Sequence, residues 1–256
     1  MKLSVTCIGH KEVDHLKELF PQLLEWADEL IYVDCESGDG SFELAQSLGI
    51  KSFQRPNNMN LNVNKSYAME QATGDWIFYV DPDERFSKEL ISEVKQAIQK
   101  DASVAFRLPR RNHFFGHWLQ HGGQYPDYQL RIFKKGRGFF PNKHVHESLK
   151  IDGPIQTLKE PMDHYPYLTI SQFLKKMDFY SSFEAGHLFE KGVRPSFGNT
   201  VKFLLFKPLN RFFRRWIIKG GFRDGIPGTF AAVFDGVGWM LRYFKLWELN
   251  HKKSSP

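Results

Sequence analysis

Cysteine is scarce. Cys7 and Cys35 are the only two in 256 residues, which leaves no disulfide framework and no thiolate zinc site. Both fall inside strand patterns and read as reduced, buried small side chains. Long apolar runs are missing as well. The best candidate, Gly225 to Leu241, has 17 residues and is interrupted by Asp235 and four glycines, too short and too broken for a transmembrane helix. The N-terminus enters a strand pattern without a basic segment followed by an apolar one, so no signal peptide is expected and the cytoplasm is the default compartment. No Gly-x-Gly-x-x-Gly follows the first strand, which disfavours a dinucleotide-dependent dehydrogenase on a similar sheet. Internal repeats and low-complexity tracts are absent too.

What is present is a core-forming composition: 41% hydrophobic, 25% charged and a high 15% aromatic content with 24 Phe. That is ample for one large domain or a domain with an appended segment. Net charge is +6, but it is unevenly spread. From Arg194 to Lys253 there are twelve Lys or Arg against three Asp or Glu, while the remainder is slightly acidic. The basicity belongs to the tail.

The N-terminal half alternates strand and helix patterns. Strands are expected at Leu3 to Ile8, Leu30 to Val33, Ile50 to Phe53 and through Trp76 to Val80. Helices follow each, the first bent or split by Pro21. Four such units predict a parallel sheet covered on both faces. Ser87 and Thr169 are expected helix N-caps. Val104 to Leu108 and Tyr128 to Phe133 are further strand candidates, separated by a long loop rich in His, Gly and aromatics that is more often functional than filler.

The chain is organised around Gly74 to Glu84, an apolar strand that stops at Asp81-Pro82-Asp83-Glu84. At the carboxyl end of a strand in an open α/β sheet this places acids where ligands bind. Closely spaced carboxylates suit Mg²⁺ or Mn²⁺, and Asp-Pro-Asp is equally a good type I turn. Asp34, at the end of the second strand, could accept a hydrogen bond from a base or cap the turn at Ser37 or Gly38. Asp127 could serve as a base or cap the turn made by Pro126. Arg131, four residues along the same strand, shares a face with it and could contact phosphate, hold the base or form a surface pair.

Taken together, His10-Lys11-Glu12, Asp34-Cys35-Glu36-Ser37-Gly38-Asp39-Gly40-Ser41, Lys65, Ala72-Thr73-Gly74-Asp75-Trp76 and Asp81-Pro82-Asp83-Glu84 resemble glycosyltransferase family 2. Tyr125 to Phe133 and His144-Val145-His146-Glu147 further resemble a bacterial subgroup that includes lipopolysaccharide inner-core β-1,4-glucosyltransferases. The resemblance implies an α/β GT-A fold, an inverting metal-dependent transferase and a UDP-sugar donor, UDP-glucose or a related hexose. It implies nucleotide contacts from Asp34, Glu12, Lys65 and Asp81, a Mg²⁺ or Mn²⁺ ion on Asp83 and Asp81 with His146 completing the shell, and a catalytic Asp127 supported by Arg131. Lys65 could also be a solvated helix lysine, and His146 a structural partner of Glu147.

Residues 1–165 are accordingly expected to form the GT-A catalytic domain and residues 166–256 a basic, aromatic-rich helical region. Alternating aromatic and basic residues from Phe197 suit a monotopic contact with an anionic membrane surface, or amphipathic helices packing on the catalytic domain. No nucleic-acid motif accompanies them. The leading expectation is transfer onto a lipid-linked saccharide such as lipopolysaccharide inner core, peripherally at the cytoplasmic face of the bacterial inner membrane. Alternatives are a polyprenyl-phosphate or other glycolipid glycosyltransferase of the same fold, and a catalytically silent membrane-attached saccharide-binding protein.

Overall fold

A computed structural model describes residues 1–58, 60–141 and 148–252. Strand β1 (Leu3–Gly9) is buried along its whole length, which requires cover on both faces of the sheet. It pairs in parallel with β2 (Glu29–Asp34) on one side and β4 (Trp76–Val80) on the other, Thr6 lying opposite both Ile31 and Tyr79. Between β1 and β2 runs α1 (Val13–Leu24), whose Leu16, Leu19, Phe20 and Leu23 are fully buried. This helix is not split at Pro21: the apolar face on both sides of the proline holds it to the core. Next come α2 (Ser41–Ser47), β3 (Lys51–Gln54) parallel to β2, and α3 (Leu61–Glu70). Gly74, in the turn before β4, must be glycine, because a Cβ there would lie 2.7 Å from the Lys2 carbonyl and 2.6 Å from Ser4 Oγ.

After β4 the sheet stops being parallel. A two-residue strand β5 (Glu84–Arg85) precedes α4 (Lys88–Lys100), capped by Ser87 as expected. Then follow β6 (Ala105–Phe114), β7 (His117–Trp118) and β8 (Asp127–Lys134), the last antiparallel to β4 with Phe78 opposite Ile132. Short strands β9 (Gly138–Phe139) and β10 (Lys150–Ile151) pair with each other. Strand β11 (Ile155–Thr157) lies along β6, and β12 (Met162–Tyr167) pairs antiparallel with β5. The order is β3-β2-β1-β4-β8-β6-β12-β5, so the expected parallel sheet is in fact mixed. The expected long loop after Leu108 is shorter than its sequence implied. Strand β6 continues to Phe114, and Phe115 and Gly116, both at positive φ, turn it back into β7, the geometry of a tight hairpin.

By contact density the chain divides into two units, Met1–Arg110 with Tyr128–His164, and Arg111–Asp127 with Tyr165–Pro256. In the second unit Thr169 caps α5 (Ile170–Glu190). A further helical stretch comprises α6 (Phe197–Val201), a π-helical turn at Lys202–Phe206, α7 (Lys207–Phe213) and a second π turn at Arg214–Ile218. A 3₁₀ turn at Gly221–Asp224 leads into α8 (Gly225–Lys252). No helix among the described residues is long and apolar enough to cross a membrane. Helix α8 buries Ala231, Ala232, Tyr243 and Leu246 within this unit. Asp235, the residue that interrupts the apolar run, accepts from Arg211 Nε at 2.8 Å and Arg215 Nε at 2.5 Å.

Candidate active site

The acidic end of β4 is a network rather than an exposed cluster. Asp81 receives Lys65 Nζ on Oδ1 at 2.9 Å and Arg131 Nη2 on Oδ2 at 2.5 Å. The same Arg131 nitrogen bonds Glu84 Oε1, and the Asp81 backbone N–H donates to Glu84 Oε2 at 2.9 Å. Arg110 Nη1 stands 3.9 Å from Glu84 Oε1. Arg131 is therefore no surface pair: it is buried, lies over the Tyr79 ring and bridges two carboxylates. Burial alone would raise the Asp81 carboxyl, but Arg131 and Lys65 outweigh it and hold the group well below the usual carboxylate range. For Glu84 burial wins and pushes its carboxyl up, in spite of Arg131. Burial works against the Lys65 ammonium too, yet Asp81 more than compensates and its pKa is raised.

Asp83 points elsewhere. Its Oδ2 lies 3.4 Å from His164 Nε2, both side chains being largely buried. His164 arrives through the pairing of β12 with β5, where it sits opposite Glu84. Expectation had grouped Asp83 with Asp81 and His146. The described residues instead group Asp83 with His164 and surround Asp81 with cations. His146 lies outside the described residues. A carboxylate oxygen beside an imidazole nitrogen is a donor pair that would suit a divalent ion such as Mn²⁺. Among the described residues no group of three or more potential ligands forms.

The loops after β1 and β2 are fastened together at the same sheet edge. His10 Nδ1 meets the Cys35 carbonyl at 2.6 Å, the Lys11 N–H donates to Ser37 Oγ at 3.0 Å, and the Val13 N–H to Asp39 Oδ2 at 3.1 Å. Asp34 is buried and accepts from the Ser37 N–H at 3.1 Å and the Tyr32 hydroxyl at 3.2 Å, which is the turn-capping arrangement. Glu12 is the N-cap residue of α1 without capping it through its side chain. Burial pushes the Cys7 thiol up, and Asp81, Glu84 and Glu12 add to that while Lys65 opposes it. These groups thus converge on the carboxyl end of β1. Since β2 and β4 flank β1 and are reached in opposite directions, this edge is the topological switch point of the parallel strands, where α/β sheets bind ligands.

In the second unit Asp127, first residue of β8, accepts from Asn112 Nδ2 at 3.3 Å, and the same nitrogen donates to the Gln124 carbonyl at 3.2 Å. His121 bonds Asp224 twice, through its N–H and through Nδ1, both at 2.8 Å. Gly122 packs within 3.5 Å of Gly221, measured from where a Cβ would stand. The His-Gly-Gly motif therefore fastens its loop to the segment before α8.

The model for glycosyl transferase family 2 matches residues 4–149. The chain belongs to glycosyltransferase family 2. Its sequence is 28% identical over 243 residues to the lipopolysaccharide core biosynthesis glycosyltransferase LpsC of Rhizobium meliloti, covering 91% of this chain and 87% of that one. It is also 28% identical over 269 residues to an uncharacterised glycosyltransferase of Rickettsia bellii, covering 97% and 87%. Among solved structures, S. aureus TarS 1-349 in complex with UDP-GlcNAc aligns with a TM-score of 0.50 at 13% identity, over 93% of this chain and 81% of that one. This family 2 glycosyltransferase has the GT-A fold, with a helical C-terminal region.

Proposed function

We propose that this glycosyltransferase moves a hexose from a UDP-hexose, UDP-glucose foremost, onto a lipid-linked saccharide of the lipopolysaccharide inner core, with inversion. The observation that carries the donor reading is the arrangement at the switch point: Asp81 clamped by Lys65 and Arg131, beside the Asp83–His164 pair. Lys65, oriented by Asp81, supplies a cation for the nucleotide diphosphate, and Asp34 and Glu12 serve the nucleoside. Asp83 and His164 would hold Mg²⁺ or Mn²⁺, which when bound offsets the charge growing on the diphosphate leaving group. Arg131 acts by keeping Asp81 ionised and fixed. Asp127 accepts the proton of the acceptor hydroxyl as it attacks the anomeric carbon, the step that inversion by single displacement requires. The likeness to LpsC supports the acceptor class.

The second unit is assigned to the cytoplasmic face of the inner membrane. Phe206, Phe213, Ile218 and Ile226 are exposed, Ile218 to 79% and Ile226 to 85%, amid exposed Arg214, Lys219 and Arg223. Apolar side chains beside basic ones suit an anionic interface.

UDP release with a panel of UDP-sugars and lipid-linked acceptors tests this reading. Wild type should turn over one donor, and Asp127→Asn should still bind it while transfer falls by about 10²–10⁴-fold. Undiminished transfer by the variant would remove Asp127 from the mechanism, and no turnover with any UDP-sugar would remove the donor.

A further inference from the structure

A cavity of about 480 Å³ lies wholly within the second unit, where the end of α5 and the turn after it meet the π turn before α7. Its charged lining consists of Lys191, Arg194, Lys202 and Lys207, with no carboxylate among the lining residues. Among the described residues none of the four forms an ion pair. Of the acids nearest in sequence, Glu190 lies 3.9 Å from His187 Nδ1 and Glu184 3.9 Å from Arg242 Nη1. Arg194 is preset, its Nη1 donating to the Phe189 and Val193 carbonyls at 2.9 and 3.1 Å while the guanidinium lies over the Phe189 ring. Lys207 rests on aromatic faces, 3.6 Å from the Trp239 centroid and 4.3 Å from that of Phe203. Burial lowers its pKa, and the neighbouring charges of Lys202 and Arg242 lower it further.

Four cations line one cavity whose lining carries no carboxylate, so a bound anion would meet attraction from each and relieve their mutual repulsion. Phe197 and Phe206, which adjoin the lining residues Ser196 and Lys207 in sequence, are exposed to 86% and 66%, so apolar surface for the body of an amphiphile is available next to the cations that would hold its head. We infer that the pocket of Lys191, Arg194, Lys202 and Lys207 binds the phosphate group of an anionic amphiphile. The site stands apart from the donor reading, since none of its residues belongs to the sheet edge.

The test compares binding of Lys202→Gln/Lys207→Gln and of Lys95→Gln/Lys100→Gln to phosphatidylcholine vesicles doped with phosphatidic acid. The second variant removes the same charge from exposed positions on α4. At about 1 kcal/mol per basic residue near a charged surface, the pocket variant should lose roughly 25-fold in affinity and the control at most about twofold. Arg194→Gln supplies an independent single change if the double variant folds poorly. Equal losses in pocket and control variants would overturn the site. Competition by inorganic phosphate would show that phosphate alone is recognised, whereas a pocket-specific loss without such competition would assign recognition to the lipid-borne group. Thermal stabilisation by UDP should be the same in all variants, which separates failure of this site from failure of the donor site.

Discussion

Replacing Arg131 with methionine probes the buried network at the end of β4. The substitution keeps the aliphatic volume against Tyr79 but removes the guanidinium that bridges Asp81 and Glu84. Asp81 would keep Lys65, whereas Glu84, whose side chain has no solvent exposure, would keep the Asp81 N–H but no cation nearer than Arg110 at 3.9 Å among the described residues. Breaking a buried ion pair from one side costs about 3–5 kcal/mol. For a domain of this size that is a fall in Tm on the order of 10 °C. Adding Glu84→Gln should return more than about 1 kcal/mol, because a neutral amide no longer needs the cation. The pH dependence follows from sign. Glu84 is already raised by burial, and losing Arg131 raises it further, so the folded variant holds a proton that the unfolded chain has released. Its stability should therefore fall as pH rises from about 4.5 toward neutrality, more steeply than in wild type. A calorimetric scan that finds Arg131→Met within about 2 °C of wild type at neutral pH, or no rescue by Glu84→Gln, would refute the clamp.

Other consequences are simpler to read. Gly74→Ala should destabilise by about 1–3 kcal/mol in urea unfolding, because the new methyl meets the Lys2 carbonyl and the Ser4 amide nitrogen as well as the Ser4 hydroxyl, and the backbone atoms cannot swing aside. Ile218→Ser/Ile226→Ser should leave the melting temperature nearly unchanged, since both residues are exposed, while lowering sedimentation with anionic vesicles by at least about tenfold. Retained vesicle binding would place the membrane contact elsewhere.

Much of the first unit was legible because its information is local. An apolar strand ending in acids, Ser87 three residues before Leu90, and the even offset of Arg131 from Asp127 are all short-range patterns. What sequence concealed depends on pairing between distant segments. His164 reaches Asp83 only because β12 returns beside the two-residue β5, and no periodicity in Met162–Tyr167 announces that partner. The polar run Arg110 to His113 hid the extension of β6, whose alternation becomes visible only with its neighbours in place. Asp235 read as an interruption until Arg211 and Arg215 supplied its charge partners.

We place the proposed UDP-sugar site at the carboxyl end of β4, served by Asp83 and His164. Its most direct test is the thermal shift of wild type and of His164→Ala with UDP, in the presence of Mn²⁺ and of chelator. A ligand at a hundred times its dissociation constant stabilises by about 2.7 kcal/mol. Wild type should show that shift with Mn²⁺ and a much smaller one with chelator, and His164→Ala should abolish the difference. No shift with UDP in wild type, or an undiminished Mn²⁺ effect in the variant, would contradict the account.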